Sequence, residues 1–326
     1  MRFSTLICIP LAAMLSAVGI ARAQTYPVKP IRIIVPFAAG GGADFTARIV
    51  GQKLAEALGQ PVIADNRTGA AGAIGAELAA KAAPDGYTLL LGSAGPLAIL
   101  PGMSTRLPYD PVASFAPVVL VSSMPFLLAV HPSLPVRSVK DLIALAKSKP
   151  GQLNYASPGS GSTTHLVAEL LKAMAKIDIV HVPYKGVAPS VADLMAGQVQ
   201  MMSGDLSTLM PQVKAGRLRA LAVTGAKRSA LAPEFPTIAE SGVPGYEARG
   251  WFGVLAPVAT PGEIVMRLNS VIAKGIAGAD ARERLAALGG EVVGGTPAEY
   301  ATRLRADLAK WSQLIKAIGL KADPAG

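Results

Sequence analysis

The chain has 326 residues, 51% hydrophobic and 16% charged, with a formal charge of +10 at pH 7. Its Lys and Arg residues are scattered, with no dense run and no interleaved aromatics, which argues against nucleic acid as a partner. One cysteine and three histidines leave no disulfide framework, no Cys/His cluster and no H-E-x-x-H spacing for a metal.

Residues 1–23 read as a secretory signal. Arg2 gives the positive start, 6–20 form the apolar core, and Ala21-Arg22-Ala23 is an A-x-A site that places cleavage after Ala23. The apolar run falls short of the roughly 20 residues that a membrane span requires. Cys8 lies within it, so the exported chain has no cysteine, and Arg2 and Arg22 leave with the signal. The expected location is the periplasm, where a mildly positive field helps collect anionic solutes. About 300 residues remain, enough for two lobes.

The stretch 31–44 reads as a buried strand, a glycine-rich turn and a helix start. Residues 31–35 are β-branched apart from Arg32, which suits a strand covered on both faces. Gly40, Gly41 and Gly42 leave the backbone bare after Phe37 and Ala39, Ala43 follows, and Asp44 fits an N-cap. The helix runs through Phe45, Ile49 and Leu54 to stop at Gly59. A helix N-terminus exposes N–H donors and the positive end of its dipole, so this turn is suited to an anion. G-x-G-x-x-G fails because Phe45 stands where the third glycine belongs, and no Gly-Lys-Ser or Gly-Lys-Thr supports a P-loop.

Strand and helix signals then alternate, which favours βα units and a largely parallel sheet. A strand at 62–64 is followed by the loop 65–69, an alanine-rich helix to about residue 83, and a strand at 87–91. Ser93 lies just past that strand's carboxyl end, where open α/β sheets bind ligands. Prolines make 96–117 irregular; strands follow at 118–122 and 126–130, and Ser138 opens a helix with a capping-box-like pattern. The strand–glycine–helix pattern recurs at 153–165, where Ser157, Gly159, Ser160, Gly161, Ser162, Thr163 and His165 are candidate contacts. Two such loops facing one cleft would make a binding site.

A strand at 177–182 leads to Pro183-Tyr184-Lys185-Gly186, and a strand at 199–202 ends at Ser203-Gly204-Asp205, another candidate contact position. One more strand covers 218–223. Thr260-Pro261-Gly262-Glu263 and Thr296-Pro297-Ala298-Glu299 are helix starts. The last helix carries Tyr300, Leu304, Leu308, Trp311 and Ile315 on one stripe, which is core packing.

No G-x-S-x-G elbow surrounds Ser160, and His165 at the first turn of a helix reads as an orienting group. Catalysis is not expected, and no cofactor or metal is called for. An enzyme acting on a small carboxylate through Ser160 and His165 is the alternative, and a ligand sensor docking to a signalling partner is a third.

The motifs together resemble the extracytoplasmic solute-binding receptors of tripartite tricarboxylate transporters, the Bug receptors. The resemblance rests on Ile33-Ile34-Val35-Pro36-Phe37 with the glycine loop and Asp44, Asp65-Asn66-Arg67, Ala83-Pro84-Asp85-Gly86-Tyr87, Leu153-Asn154-Tyr155-Ala156-Ser157, Gly161-Ser162-Thr163-Thr164-His165, His181-Val182-Pro183-Tyr184-Lys185-Gly186 and Pro244-Gly245-Tyr246-Glu247. It implies an α/β periplasmic-binding-protein fold of type II: two α/β lobes joined by two crossing strands, near 124–127 and Thr224, with a small carboxylate between them. Lobe 1 would take 24–124 and 225–326, and lobe 2 would take 125–224. Backbone N–H groups and waters would hold the ligand, with Phe37, Ala39, Lys185, Gly186, Ser203 and Asp205 also near it. A monomer that delivers its ligand to integral-membrane permease subunits is implied. Ala43 replaces the usual Thr or Ser, and Asp205 is displaced by one from the usual acidic position. Both changes point to a different carboxylate or a wetter pocket.

Overall fold

The computed structural model describes residues 26–104 and 106–320; the signal at 1–23 lies outside the described residues. β1 (Ile31–Val35) buries Ile31, Ile33, Ile34 and Val35 and leaves Arg32 outside. It pairs in parallel with β2 (Val62–Asn66) and β3 (Thr88–Ser93), so both its edges and both its faces are covered. α1 (Gly42–Leu58) and α2 (Ala73–Ala80) make the crossovers. α1 stops at Gly59, whose left-handed φ of 68° lets its N–H reach the Ala55 carbonyl.

β4 (Phe115–Val130) is the longest strand, with 16 residues. The sequence separates it into two strands. The structure joins them because Met124 and Pro125 keep their pairing to Gly250 and Arg249 of β9 (Arg249–Pro257). The first part of β4 pairs with β9 and with β10 (Glu291–Gly294), and β9 in turn pairs with β3. The last five residues of β4 pair with β7 (Met201–Asp205) and also meet β8 (Arg219–Val223). β5 (Asn154–Ser157) and β6 (Val180–Pro183) extend the sheet in parallel beyond β7. The order β2-β1-β3-β9-β4-β7-β5-β6 is thus one sheet with two halves hinged along β4. This is the type II periplasmic-binding architecture.

Thr224 fixes the second crossing. Its hydroxyl accepts from the Phe126 N–H at 2.8 Å and donates to the Ala248 carbonyl at 2.6 Å, so both crossing strands share one side chain. The segment 225–248 then packs Ile238, Val243 and Tyr246 into the same core as Tyr155 and Leu166, and the Tyr246 hydroxyl donates to the Val167 carbonyl.

α10 (Pro297–Ile318) begins with a complete capping box between Thr296 and Glu299. At 22 residues it is about 33 Å long, and it reaches both halves. Tyr300 and Leu304 lie in the core around Leu90 and Trp251, while Trp311, Leu314 and Ile315 lie in the core around Leu166 and Tyr155. The stripe is core packing, with Trp311 fully buried. α8 (Gly262–Ile276) has Pro261 at its N-cap position, so Thr260 does not cap it as the sequence pattern implies. α4 (Val139–Ser148) does use its expected cap, with Ser138 accepting from the Asp141 N–H.

Candidate functional site

The parallel strands of one half end at Val35, Asn66 and Ser93, and those of the other at Ser157, Pro183 and Asp205. Helices α1 and α2 start just beyond the first edge. α5 (Thr163–Ala175), α6 (Val187–Met195) and α7 (Leu206–Lys214) start beyond the second. Carboxyl edges of parallel strands followed by helix N-termini are where open α/β sheets bind ligands.

The first loop is open. Ala39, Gly40, Gly41 and Gly42 are exposed, Ala43 is buried, and Phe37 is half-buried with its carbonyl accepting from Asn66 Nδ2 at 3.0 Å. Gly41, not Asp44, occupies the N-cap, and it offers no side chain. Asp44 sits in the first turn, 3% exposed, where its Oδ2 accepts from the Gly40 N–H and from Arg48 Nε, both at 3.0 Å. The Arg48 guanidinium holds that carboxyl below its ordinary range, with the Gly40 N–H assisting. Asp44 therefore takes one loop N–H and sets a negative charge at the helix dipole. The N–H groups of Gly41, Gly42 and Ala43 have no intrahelical partner.

The second loop is largely occupied by its own supports. Ser157 is fully buried; its Oγ lies 2.6 Å from His181 Nε2 and accepts from the Gly159 N–H. The Gly161 N–H donates to His165 Nδ1 at 3.0 Å, and the Ser162 N–H donates to the Gly159 carbonyl. Ser162 caps α5 by accepting from the His165 N–H at 3.2 Å. The two imidazoles stack with ring centres 3.9 Å apart, and Tyr155 stacks on His181 at 4.9 Å. Burial pushes both imidazoles down to about 4, so neutral His165 is the species that accepts from Gly161. Tyr155 donates to Glu169 at 2.5 Å, and burial raises its hydroxyl pKa. Ser160 is exposed, and the N–H groups of Thr163 and Thr164 stand at the open start of α5. His165 thus orients the loop, and its Nδ1 is not available to Ser160 as a base.

A cavity of about 1390 Å³ lies between Pro158, Gly159, Ser160, Gly161 and Ser162 on one side and Ala70, Ala71 and Ile74 on the other. Gly95, Ile99, the short helix α3 (Leu100–Met103), Ser104, residues 106–108 and the end of α10 complete its wall. Gly69, Ala70, Ala71 and Gly72 carry successive positive φ values of 124°, 46°, 52° and 94°. Two alanines in that region are strained, and such strain concentrates at ligand clamps and switches. Just after the turn the chain packs closely: a Cβ on Gly75 would stand 2.8 Å from Pro36 Cα and 2.9 Å from the Arg67 carbonyl. In the sequence only Gly69 and Gly72 mark this turn.

Of the residues singled out from the sequence, Gly159, Ser160, Gly161 and Ser162 line this cavity. Phe37, Ala39, Gly40, Gly41, Gly42, Ala43 and Asp44 do not, nor do Ser157, Thr163 and His165, which lie directly behind or beside the second loop. Ser93 is buried beside the wall residue Gly95, and its Oγ has no partner. Gly186 braces the second loop by donating to the Pro158 carbonyl at 3.0 Å, while Lys185 is exposed. Ser203 is buried in β7, and Asp205 stands at the N-cap of α7 with no side-chain capping bond; burial pushes its carboxyl up. Among the described residues, no three His, Cys, Asp or Glu side chains group as a metal site, and no helix is long and apolar enough to cross a membrane.

The family profile described as "Tripartite tricarboxylate transporter family receptor" matches residues 46–320. Protein BugT of Bordetella pertussis is 37% identical over 300 residues, covering 92% of each chain. The solved structure of Rpa4515 from R. palustris with adipate is 40% identical, covers 91% of this chain and 99% of its own, and superposes with a TM-score of 0.77. MatC from Rhodopseudomonas palustris with bound malate is 32% identical, covers 89% and 100%, and has a TM-score of 0.73. These relatives are receptors, so the enzyme alternative falls with them. The chain belongs to the tripartite tricarboxylate transporter receptor family and is a solute-binding receptor of the Bug type.

Proposed function

We propose that this receptor works in the periplasm, binds a small organic carboxylate between its two halves and presents it to integral-membrane permease subunits as a monomer. Cleavage after Ala23 would release it from its signal. The observation that carries the reading is the set of open helix N-termini at the carboxyl edges of both halves, in a chain whose relatives were solved with adipate and malate. The N–H groups of Gly41, Gly42 and Ala43 serve one end of the ligand, and those of Ser160, Thr163 and Thr164 the other. Phe37, Ala39, Gly40, Asp44, Ser93, Ser157, Gly159, Gly161, Ser162, His165, Lys185, Gly186, Ser203 and Asp205 form the surrounding set. Closure moves 24–124 with 249–326 against 125–224, and 225–248, packed on the core around Tyr155, travels with the second body instead of with the first as the sequence division has it.

Calorimetry with a panel of mono-, di- and tricarboxylates tests this reading. Saturation with at least one of them at a defined stoichiometry is expected, together with a rise in melting temperature, since ligand at 100 times its Kd stabilises a fold by about 2.7 kcal/mol. Absence of binding across the panel would refute it.

A further inference from the structure

We infer that Glu291 is a latch behind the hinge: it ties β10 of the first body to Ser229 and Ala230 of the second and holds the cleft open until a bound ligand breaks the tie. The inference rests on the closure proposed above and concerns what sets the angle between the halves. Along one edge of β4, β7 ends with Asp205 opposite Phe126, and β10 begins with Glu291 opposite Ser123. Along the other edge Thr224 bonds to Phe126, and Arg249 pairs with Pro125. The two bodies therefore meet at residues 123–126, where successive side chains point to opposite faces of the sheet. Ser122 and Phe252 are a cross-strand pair on one face, and a Cβ on Gly42 of the first loop would stand 3.9 Å from the Phe252 ring. That face looks into the cleft. Ser123, Arg249 and Glu291 occupy the other, where Arg249 Nε donates to Ser123 Oγ at 2.7 Å and Nη2 donates to Glu291 Oε2.

From there Glu291 reaches across the junction. Its Oε1 accepts from the Ser229 hydroxyl at 2.6 Å and from the Ala230 N–H at 3.2 Å. Ser229 is buried, and Ala232 just beyond it packs with Leu127, Ala129 and Leu206 of the second body. β10 stays with the first body, its Val292 lying against the core that holds Ile33, Val50 and Leu268. One carboxylate thus bonds both bodies, and its charge strengthens each bond it accepts. Gly225 leaves room for the guanidinium, since a Cβ there would stand 3.1 Å from Arg249 Nη1. On the cleft side the junction has no side chain to match, because Gly289 and Gly290 precede β10, the latter beside Ser122. The hinge strands lie between latch and cleft. A rotation that closes the cleft in front of them moves the far side apart, so Ser229 draws away from Glu291. In the structure the latch is made while Ala39, Gly40, Gly41, Gly42 and Ser160 are exposed, which is the open arrangement. Measured affinity is then lowered by the closed population that the latch withholds.

Two variants break the latch from opposite sides: Glu291→Ala from the first body, and Ser229→Ala from the second with the Arg249–Glu291 pair left in place. Titration calorimetry with adipate should show each variant binding about three- to tenfold more tightly than wild type. A second readout needs no ligand. Cys8 is the one cysteine and lies in the signal, so spin labels on the exported chain at Lys147→Cys and Glu283→Cys, both exposed positions, report the distance between the bodies. In the free protein a second distance population should grow in both latch variants. Melting curves report folding separately. Unchanged or weaker adipate affinity in Ser229→Ala, or an unchanged distance distribution, overturns the latch while the carboxylate reading stands. If adipate binds none of these proteins, the distances alone decide the latch, and the carboxylate panel decides the other reading.

Discussion

The two glycine loops share a strand–glycine–helix design and differ in how they are held. In the first, Gly40 donates inward to Asp44, and the next three N–H groups are open. In the second, Gly159, Gly161 and Ser162 all donate within the loop, and a stacked pair of imidazoles stands behind it. The glycines differ in the same way. A Cβ on Gly41 would meet only the Ala38 carbonyl at 3.7 Å, whereas one on Gly161 would stand 2.6 Å from Met103 Cε at a φ of +77°. Glycine is thus required by the fold in the second loop. In the first, a Cβ has room at Gly41, where glycine suits the N-cap of α1 and leaves the backbone open to close approach of a ligand. One loop is preorganised, the other is adaptable.

The strongest way to break this contrast is His165→Ala. It leaves the half-buried Gly161 N–H without its acceptor, a loss of about 1 kcal/mol, and it removes one ring of the stack. Both melting temperature and ligand affinity should fall. His165→Asn, whose side-chain oxygen can take the place of Nδ1, should recover part of both. Equal loss with Asn and Ala would show that the ring's packing, not its acceptor, holds the loop.

A matched pair of alanine substitutions comes next. Gly161→Ala forces a left-handed residue and crowds Met103, for a stability loss of about 1–2 kcal/mol. Gly41→Ala has extended backbone angles and room for its methyl, so its melting temperature should stay within about 1 °C of wild type while ligand affinity drops. A stability loss at Gly41 as large as at Gly161 would erase the distinction between the loops.

This contrast also marks what the sequence could reveal. Phase and period identified β1 and the α10 stripe, because each is written in local burial; the largely parallel sheet they implied is mixed, since β4 pairs antiparallel with β7, β8, β9 and β10. The Thr296 capping box was legible for the same reason: both partners are three residues apart. β9, α9 (Ala279–Ala287) and β10 were not singled out. Trp251-Phe252-Gly253-Val254 in β9 lacks a clean alternation because the strand is sandwiched between β3 and β4. The stacked histidines were out of reach, since His165 and His181 come from different elements and meet only through the β5–β6 pairing that sets His181 beside Tyr155. The strained turn at Gly69, Ala70, Ala71 and Gly72 was hidden for a related reason, as alanine gives no hint of a left-handed backbone.

Acid should act on the second loop and spare the first. Both imidazoles are pushed down to about 4 in the fold against an ordinary value of 6.5, so above pH 6.5 they are neutral folded and unfolded alike. Between pH 6.5 and 4 the unfolded chain takes up protons that the fold refuses, so stability falls as pH falls through that window. The Asp44 pKa is lowered too, but from the ordinary carboxylate value, so its contribution is lost only as pH falls below that range. Melting temperature should therefore decline from pH 7 to pH 5, and the decline should flatten in His165→Asn. An unchanged slope in that variant would assign the acid sensitivity elsewhere.

The smallest effect separates hydroxyl from backbone recognition. Thr164 Oγ1 and Ser93 Oγ are buried and unpartnered, one at each carboxyl edge. A buried hydroxyl without a partner costs stability, so Thr164→Val and Ser93→Ala should leave the free protein as stable as wild type or slightly more so. If each hydroxyl bonds the acid, affinity should fall severalfold, in keeping with about 1 kcal/mol for a single hydrogen bond. The open first loop has fewer fixed donors near it, so Ser93→Ala is expected to cost more affinity than Thr164→Val, whose neighbours in the preorganised loop keep the ligand in place. The reverse order, measured by calorimetry with the tightest acid, would mean that the second loop relies on its side chain and that its backbone is rigid for reasons of folding alone.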